Sequence, residues 1–192
     1  MTKQALGAFT LIVGISLLEA CGSTKATNPV VTADAAVDRM GNIHVPADYR
    51  TKFSTLGTFA IADEKSPGSK EMHIVYASPE TISAFRKDGK YPDGAVLVKE
   101  VYATHTGPQT TGTVSHADTL KGWFVMIKDS GNTHPGNKLW GDGWGWSWFD
   151  ANAPRKTTST DYKAECLACH EPARQTDLTY TAGYPVLRDS VR

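Results

Sequence analysis

The sequence predicts an α+β fold: a mainly antiparallel β-sheet with two or three helices, the last of which carries a cysteine motif near the C-terminus. Three observations point there. Segments rich in Val, Ile and aromatic residues recur through the middle of the chain, separated by turns that contain Gly and Pro. Helix start and stop signals are few, and the helices they mark do not alternate with strands as βαβ units would require. The composition, 40% hydrophobic and 21% charged over 192 residues, suits one globular domain.

The N-terminus is set apart from that domain. After Lys3 an apolar run extends from Ala5 to Leu18. It is too short to span a bilayer and has the layout of a secretory signal. The run closes on Leu18-Glu19-Ala20-Cys21-Gly22, which resembles a bacterial lipobox. Residues 1–20 are therefore expected to be a lipoprotein-type signal peptide, with lipidation at Cys21. Cleavage nearby by ordinary signal peptidase is the alternative. Residues 21–36 are small, polar and aperiodic, and read as a flexible tether. Residues 37–192 form the domain. The expected location is the periplasm, with a lipid anchor in the outer membrane as the only membrane contact.

Within the domain, residues 49–60 read as a helix leading into a strand, and residues 63–70, with Pro67-Gly68, as a loop. Met72 to Ala77 is a strand. Ser78 caps a helix with Pro79 in its first turn, and Gly89 ends it. Pro92-Asp93-Gly94 is a turn before the strand Ala95 to Tyr102. A Gly- and Thr-rich loop is expected from Thr104 to Thr113, a strand from Gly122 to Lys128, and a loop from Asp129 to Asn137. The strand Trp144 to Phe149 puts Trp144, Trp146 and Trp148 on one face, to pack under a bound group or in a dimer seam. After a linker over 153–159, Asp161 caps a helix that runs to about Arg174. The tail has room for one short strand, Leu178 to Thr181. Met40, Met72 and Met126 are expected in the core.

Charge narrows the function. Lys plus Arg and Asp plus Glu are 20 each, so the formal charge is zero and nothing calls for nucleic acid as a partner. There are three cysteines. An exported chain so poor in cysteine has no disulfide framework, so Cys166 and Cys169 need another use.

Those two belong to Cys166-Leu167-Ala168-Cys169-His170, the C-x-x-C-H pattern of covalent c-type haem attachment. Two thiols about one helical turn apart reach the two vinyl groups on one porphyrin edge, and the adjacent histidine ligates the iron. A structural zinc site needs four ligands and the motif supplies three at most. A redox dithiol would want a βαβ setting. Export and a capped helix favour the haem reading, with one covalent c-type haem and a C-terminal haem-attachment helix. Only 22 residues follow His170, and none is Met or His. The distal side of the iron is thus expected to be open, which favours ligand binding or chemistry over simple electron relay.

Strand 95–102 holds one oddity. Ala95, Leu97, Lys99 and Val101 share a face; Val96, Val98, Glu100 and Tyr102 share the other. Each apolar face carries one charge. Either this is a sheet edge where both charges reach water, or Lys99 is used, since burial can turn a lysine into a nucleophile.

The ordered set KYPDGAVLVKE, WFVMIKD, GWGWSWFD, AECLACH and DLTYTAGYPVLR resembles the cytochrome P-460 family, from roughly Asp38 to Arg188. The resemblance implies a small exported mono-haem protein with a mainly β fold, often a homodimer. It implies oxidation of hydroxylamine to nitrous oxide or nitric oxide, with electrons passed to a soluble redox partner. The related cytochromes c′-beta imply nitric oxide binding without turnover instead, and electron transfer is a third role. By the same resemblance Cys166 and Cys169 are the thioether positions, His170 the proximal iron ligand, and Lys99 a covalent link to the porphyrin edge. Phe124 falls where the hydroxylamine-oxidising members carry a distal carboxylate, and makes an apolar distal cap. His73 falls where an arginine is expected.

Overall fold

The computed structural model of the protein describes Met1 and residues 36–188. The expected signal peptide, Met1 aside, and nearly all of the expected tether, including Cys21, lie outside the described residues. The domain is α+β, as expected: six antiparallel strands and a few short helices. In chain order these are α1 (Tyr49–Lys52), β1 (Ser54–Ala62), β2 (Ser69–Ala77), α2 (Pro79–Asp88), β3 (Val96–Gln109) and β4 (Gly112–Lys128). They continue with β5 (Trp140–Gly141), β6 (Trp144–Asp150), α3 (Tyr162–Glu165) and α4 (Leu167–His170). Short 3-10 turns follow to Leu187. The sheet order is β1-β2-β3-β4-β6-β5.

The helix signals act as read. Ser78 Oγ accepts the Thr81 amide, and Gly89 takes the left-handed conformation (φ 68°) with its amide on Phe85 O. Alternation along the strands then divides the core in two. On one face Val75, Leu97, Met126, Trp144 and Trp146 pack with Ile82 of α2 and with Tyr162, Cys166, Leu178, Tyr184 and Leu187 of the C-terminal segment. On the other face Val96, Val98, Trp123, Val125, Ile127 and Phe149 pack beneath Ile43, Tyr49 and Phe53. A fully buried side chain of this size contributes ~2–3 kcal/mol, so both faces hold the sheet.

Strand β3 lies between β2 and β4, not at an edge. Glu100 therefore cannot reach water; its side chain is 1% exposed. It accepts hydrogen bonds from Tyr49 Oη, from Tyr76 Oη at 2.9 Å and from Arg50 Nε at 2.6 Å. Trp123 Nε1 completes the set by donating to Tyr49 Oη at 2.8 Å. The edge reading is corrected for both charges: Glu100 is a satisfied buried carboxylate, and Lys99 faces the opposite side.

Four further expectations fail, three of them for identifiable reasons. Residues 104–113 are not a loop: β3 and β4 pair down to Gln109 and Gly112 in a long hairpin. Pro108 is tolerated because β2 pairs with β3 only as far as Ala103, leaving the end of β3 a free side. The helix from Asp161 is capped as read, with Asp161 Oδ1 accepting the Lys163 amide. It breaks at Cys166 (φ −121°, ψ −44°), resumes over Leu167–His170 and turns 3-10 at Glu171-Pro172. Proline supplies no amide to continue the helix. The short strand at 178–181 does not form; Asp177 and Leu178 take positive φ (58° and 59°), and a 3-10 turn follows. Met126 is in the core, but Met72 is only half-buried and Met40 is 75% exposed.

Candidate functional site

A cavity of about 630 Å³ opens between the first sheet face and the C-terminal segment. Its floor is built in cross-strand rows. Ala77, Leu97, Met126 and Trp146 align in one row, and Val75, Lys99, Phe124 and Trp148 in the next. His73, Val101 and Gly122 form the third, and Glu71 stands one row beyond. Successive rows are two residues apart, ~7 Å along the strands. Gly122 is required where it sits: a Cβ there would lie 2.1 Å from Phe149 O and 2.6 Å from the Trp148 ring. Its absence lets Trp148 lie against Phe124, ring centroids 4.5 Å apart.

Cys166, Cys169, His170 and Lys99, all singled out from sequence, line this one cavity. The His170 ring stands over the first row, 4.9 Å from Trp146 and edge-on to it. Its Nδ1 lies 2.7 Å from Leu178 O. A carbonyl only accepts, so Nδ1 carries the proton and Nε2 keeps its lone pair. Burial pushes the His170 pKa below its ordinary value and the Lys99 cation adds to this, while the bond to Leu178 opposes it. A neutral imidazole with its outer nitrogen anchored is the form that ligates a metal.

The anchor is itself held. Lys128 Nζ pairs with Asp177 Oδ1 at 2.7 Å and lies 4.8 Å from the centre of the Trp144 ring. Trp144 Nε1 donates to Asp177 O at 3.1 Å, and Leu178 N to Ala173 O at 2.9 Å. These contacts fix two successive left-handed residues, and that turn aims the Leu178 carbonyl at His170.

Cys166 sits at the helix break and is buried; burial pushes its thiol up to about 11. Cys169 is exposed at the cavity margin, and both thiols are free. Tyr180 Oη donates to Cys169 O at 2.6 Å, tying the motif to the tail. Among the described residues no group of three or more His, Cys, Asp or Glu is arranged to hold a bare metal ion. The donor set is instead two free thiols and one anchored neutral imidazole on an apolar cavity, which fits a porphyrin.

Lys99 stands in the second row, its Nζ 4.3 Å from the Phe124 ring centroid. Burial lowers its pKa, against the opposing influence of Cys169, Cys166 and Glu71. Among the described residues it makes no hydrogen bond or ion pair. Phe124 lies in the wall between Lys99 and Trp148.

Sequence reasoning noted His73 but missed its partners Glu71 and Lys121. Glu71 and His73 both line the cavity at the end away from His170. His73 Nε2 lies 3.1 Å from Glu71 Oε2, and Lys121 Nζ lies 2.5 Å from Glu71 Oε1. The signal was available: the two alternate with Val75 on one face, but only if the strand is begun at Ser69 rather than Met72.

A sheet-floored cavity with a C-x-x-C-H segment at its mouth defines an α+β protein whose site fits covalent haem. The cytochrome P460 family model matches residues 46–181. The chain belongs to that family, whose members bind a c-type haem. No curated protein matches the chain.

Proposed function

We infer that the protein is an exported mono-haem cytochrome that oxidises hydroxylamine to nitrous oxide or nitric oxide and passes the electrons to a soluble redox partner. Cys166 and Cys169 would hold the haem through thioethers, His170 through Nε2, and Lys99 as a third covalent attachment. The chemistry that a bound haem supplies is ligation of a small nitrogen compound and acceptance of its electrons.

The carrying observation is Lys99. A half-buried amine without a carboxylate partner is costly, and its desolvation shifts it toward the neutral, nucleophilic form. Attachment exchanges an amine N–H and a ring C–H for one C–N bond. It therefore needs a two-electron oxidant of the peroxide class during maturation. The other residues position and exclude: His170 is fixed by Leu178, while Phe59, Ile61 and Phe124 supply apolar surface to the cavity.

Mass spectrometry of the digested holoprotein tests this reading. The peptide containing Lys99 should carry the haem mass together with the Cys166–Cys169 peptide. A Lys99 peptide released at its plain mass removes the main support. Anaerobic turnover of hydroxylamine with an artificial electron acceptor is the complementary assay.

Phe124 supports a second reading, nitric oxide binding without turnover, since phenylalanine takes no proton and leaves room for a diatomic ligand. Withdrawal of no electrons from hydroxylamine would select it. Either reading includes export to the periplasm with a lipid on Cys21. A clickable fatty acid should label the wild-type protein and leave Cys21→Ser unlabelled.

A further inference from the structure

We propose that His73, oriented by Glu71, is the proton acceptor of this cavity for protic nitrogen ligands. The proposal rests on the haem reading of the same cavity and deepens it. Oxidation of hydroxylamine releases at least two protons per molecule, so a group that takes protons must face the ligand. Phe124 cannot do this. His73 stands two rows beyond the Trp146 row over which His170 sits, ~14 Å along the strands. Both histidines line the same cavity.

The pair has the geometry of an oriented base. A carboxylate only accepts, so His73 Nε2 carries the proton that bonds to Glu71 Oε2 at 3.1 Å. Nδ1 keeps the lone pair and makes no hydrogen bond among the described residues. The third member, Lys121 Nζ on Glu71 Oε1 at 2.5 Å, holds the carboxylate in its ionised form, well below its ordinary range. Proton transfer breaks a ligand N–H or O–H bond and forms an Nδ1–H bond. The resulting imidazolium is balanced by Glu71, and no electron moves.

The groups that bear on the His73 charge are Glu71 on β2, Lys99 on β3 and Lys121 on β4; from β1 it meets only Phe59. Burial lowers its pKa first, then the Lys99 charge, while Glu71 raises it. The imidazole is therefore neutral and able to accept at pH 7. Attachment of Lys99 to a porphyrin removes an ammonium from beside it, so maturation tunes this base upward.

Hydrogen cyanide is the probe, because it binds ferric haem as the anion and must shed a proton on entry; nitric oxide sheds none. In stopped-flow with the ferric holoprotein, cyanide association should fall as pH drops through the His73 ionisation. His73→Asn should slow it about 100-fold at pH 7 and abolish that acid limb, leaving nitric oxide association within about twofold. Glu71→Gln keeps the imidazole, slows cyanide less, and moves the acid limb to lower pH. It is scored alone should His73→Asn fail to retain haem. Unchanged cyanide rates and limb, or an equal slowing of both ligands, would overturn the proposal. A wild-type protein that oxidises no hydroxylamine while the cyanide result holds sinks the enzyme reading and leaves this one standing.

Discussion

The Lys128–Asp177 pair offers a test of how the proximal side is positioned. Lys128→Met keeps the apolar stem on Trp144 and removes the charge. The side chains are 9% and 30% exposed, so the loss falls between that of a surface pair (about 0.5 kcal/mol) and a broken buried one (about 3–5 kcal/mol). About 2 kcal/mol is the expected cost. A left-handed residue costs ~1–2 kcal/mol, so the loss is comparable to the strain that the pair helps hold at Asp177 and Leu178. The turn should loosen and the Leu178 carbonyl should leave His170 Nδ1. That bond is worth about 1 kcal/mol and favours ferric iron by making the imidazole a stronger donor. Its loss should raise the haem reduction potential, by about 40 mV at most. Potentiometry measures the shift, and the iron–histidine stretch in the resonance Raman spectrum should fall with it. Thermal melting should drop by roughly 4–8 °C. A lower melting point with unchanged potential and stretch would refute the positioning argument and leave Lys128 a stability contact only.

Three other outcomes follow from the geometry. Phe124→Ala opens the wall beside Lys99 at a stability cost of about 2 kcal/mol; binding of N-methylhydroxylamine relative to hydroxylamine should rise, and an unchanged ratio argues against a distal cap. Glu100→Ala strands Tyr49, Tyr76 and Arg50 and should cost about 3 kcal/mol in urea unfolding, with the haem spectrum preserved because Glu100 faces the other core. The His73 pKa is depressed on folding from its ordinary 6.5, so the unfolded chain takes up the proton first. Its contribution is present above pH 6.5 and is lost as pH falls toward the folded value. His73→Gln should flatten the decline in urea midpoint just below pH 6.5, and an identical slope in the two proteins would count against a depressed His73.

Much of this was legible because strand alternation is a strong signal. The faces of residues 95–102 and 144–149, the Ser78 and Asp161 caps and the C-x-x-C-H motif could be read directly. The failures share a cause: residues that break structure in isolation are tolerated where a neighbour is missing or supplied. Gly107 and Pro108 sit in a two-stranded ribbon with a free side. Leu178 looks extended by type, but Lys128 and Trp144, acting on Asp177, and His170 hold it in a turn. The Glu71–His73–Lys121 set joins β2 to a β4 residue left unpaired where the β3–β4 register shifts, a juxtaposition with no local sequence signature.

Adjacent residues on β3 separate two meanings of a buried charge. Glu100 and Lys99 were indistinguishable in sequence, one charge on each apolar face. Folding gives Glu100 three donors and a tyrosine–tryptophan set behind them. Nothing further is needed to explain it: desolvation is offset by charge-assisted hydrogen bonds, and the residue fastens α1 to the sheet. Lys99 receives no such compensation from the described residues, and its amine is turned toward two free thiols and a neutral imidazole. A half-buried cation whose one partner is the Phe124 ring, with no anion beside it among the described residues, fits a group that occupies the cavity. An attached porphyrin would remove the cost by converting the ammonium to a ring-bound amine. Lys99 therefore supports an attachment role through what it lacks, and Glu100, one position on, shows that the same strand can satisfy a charge fully when structure alone is the purpose.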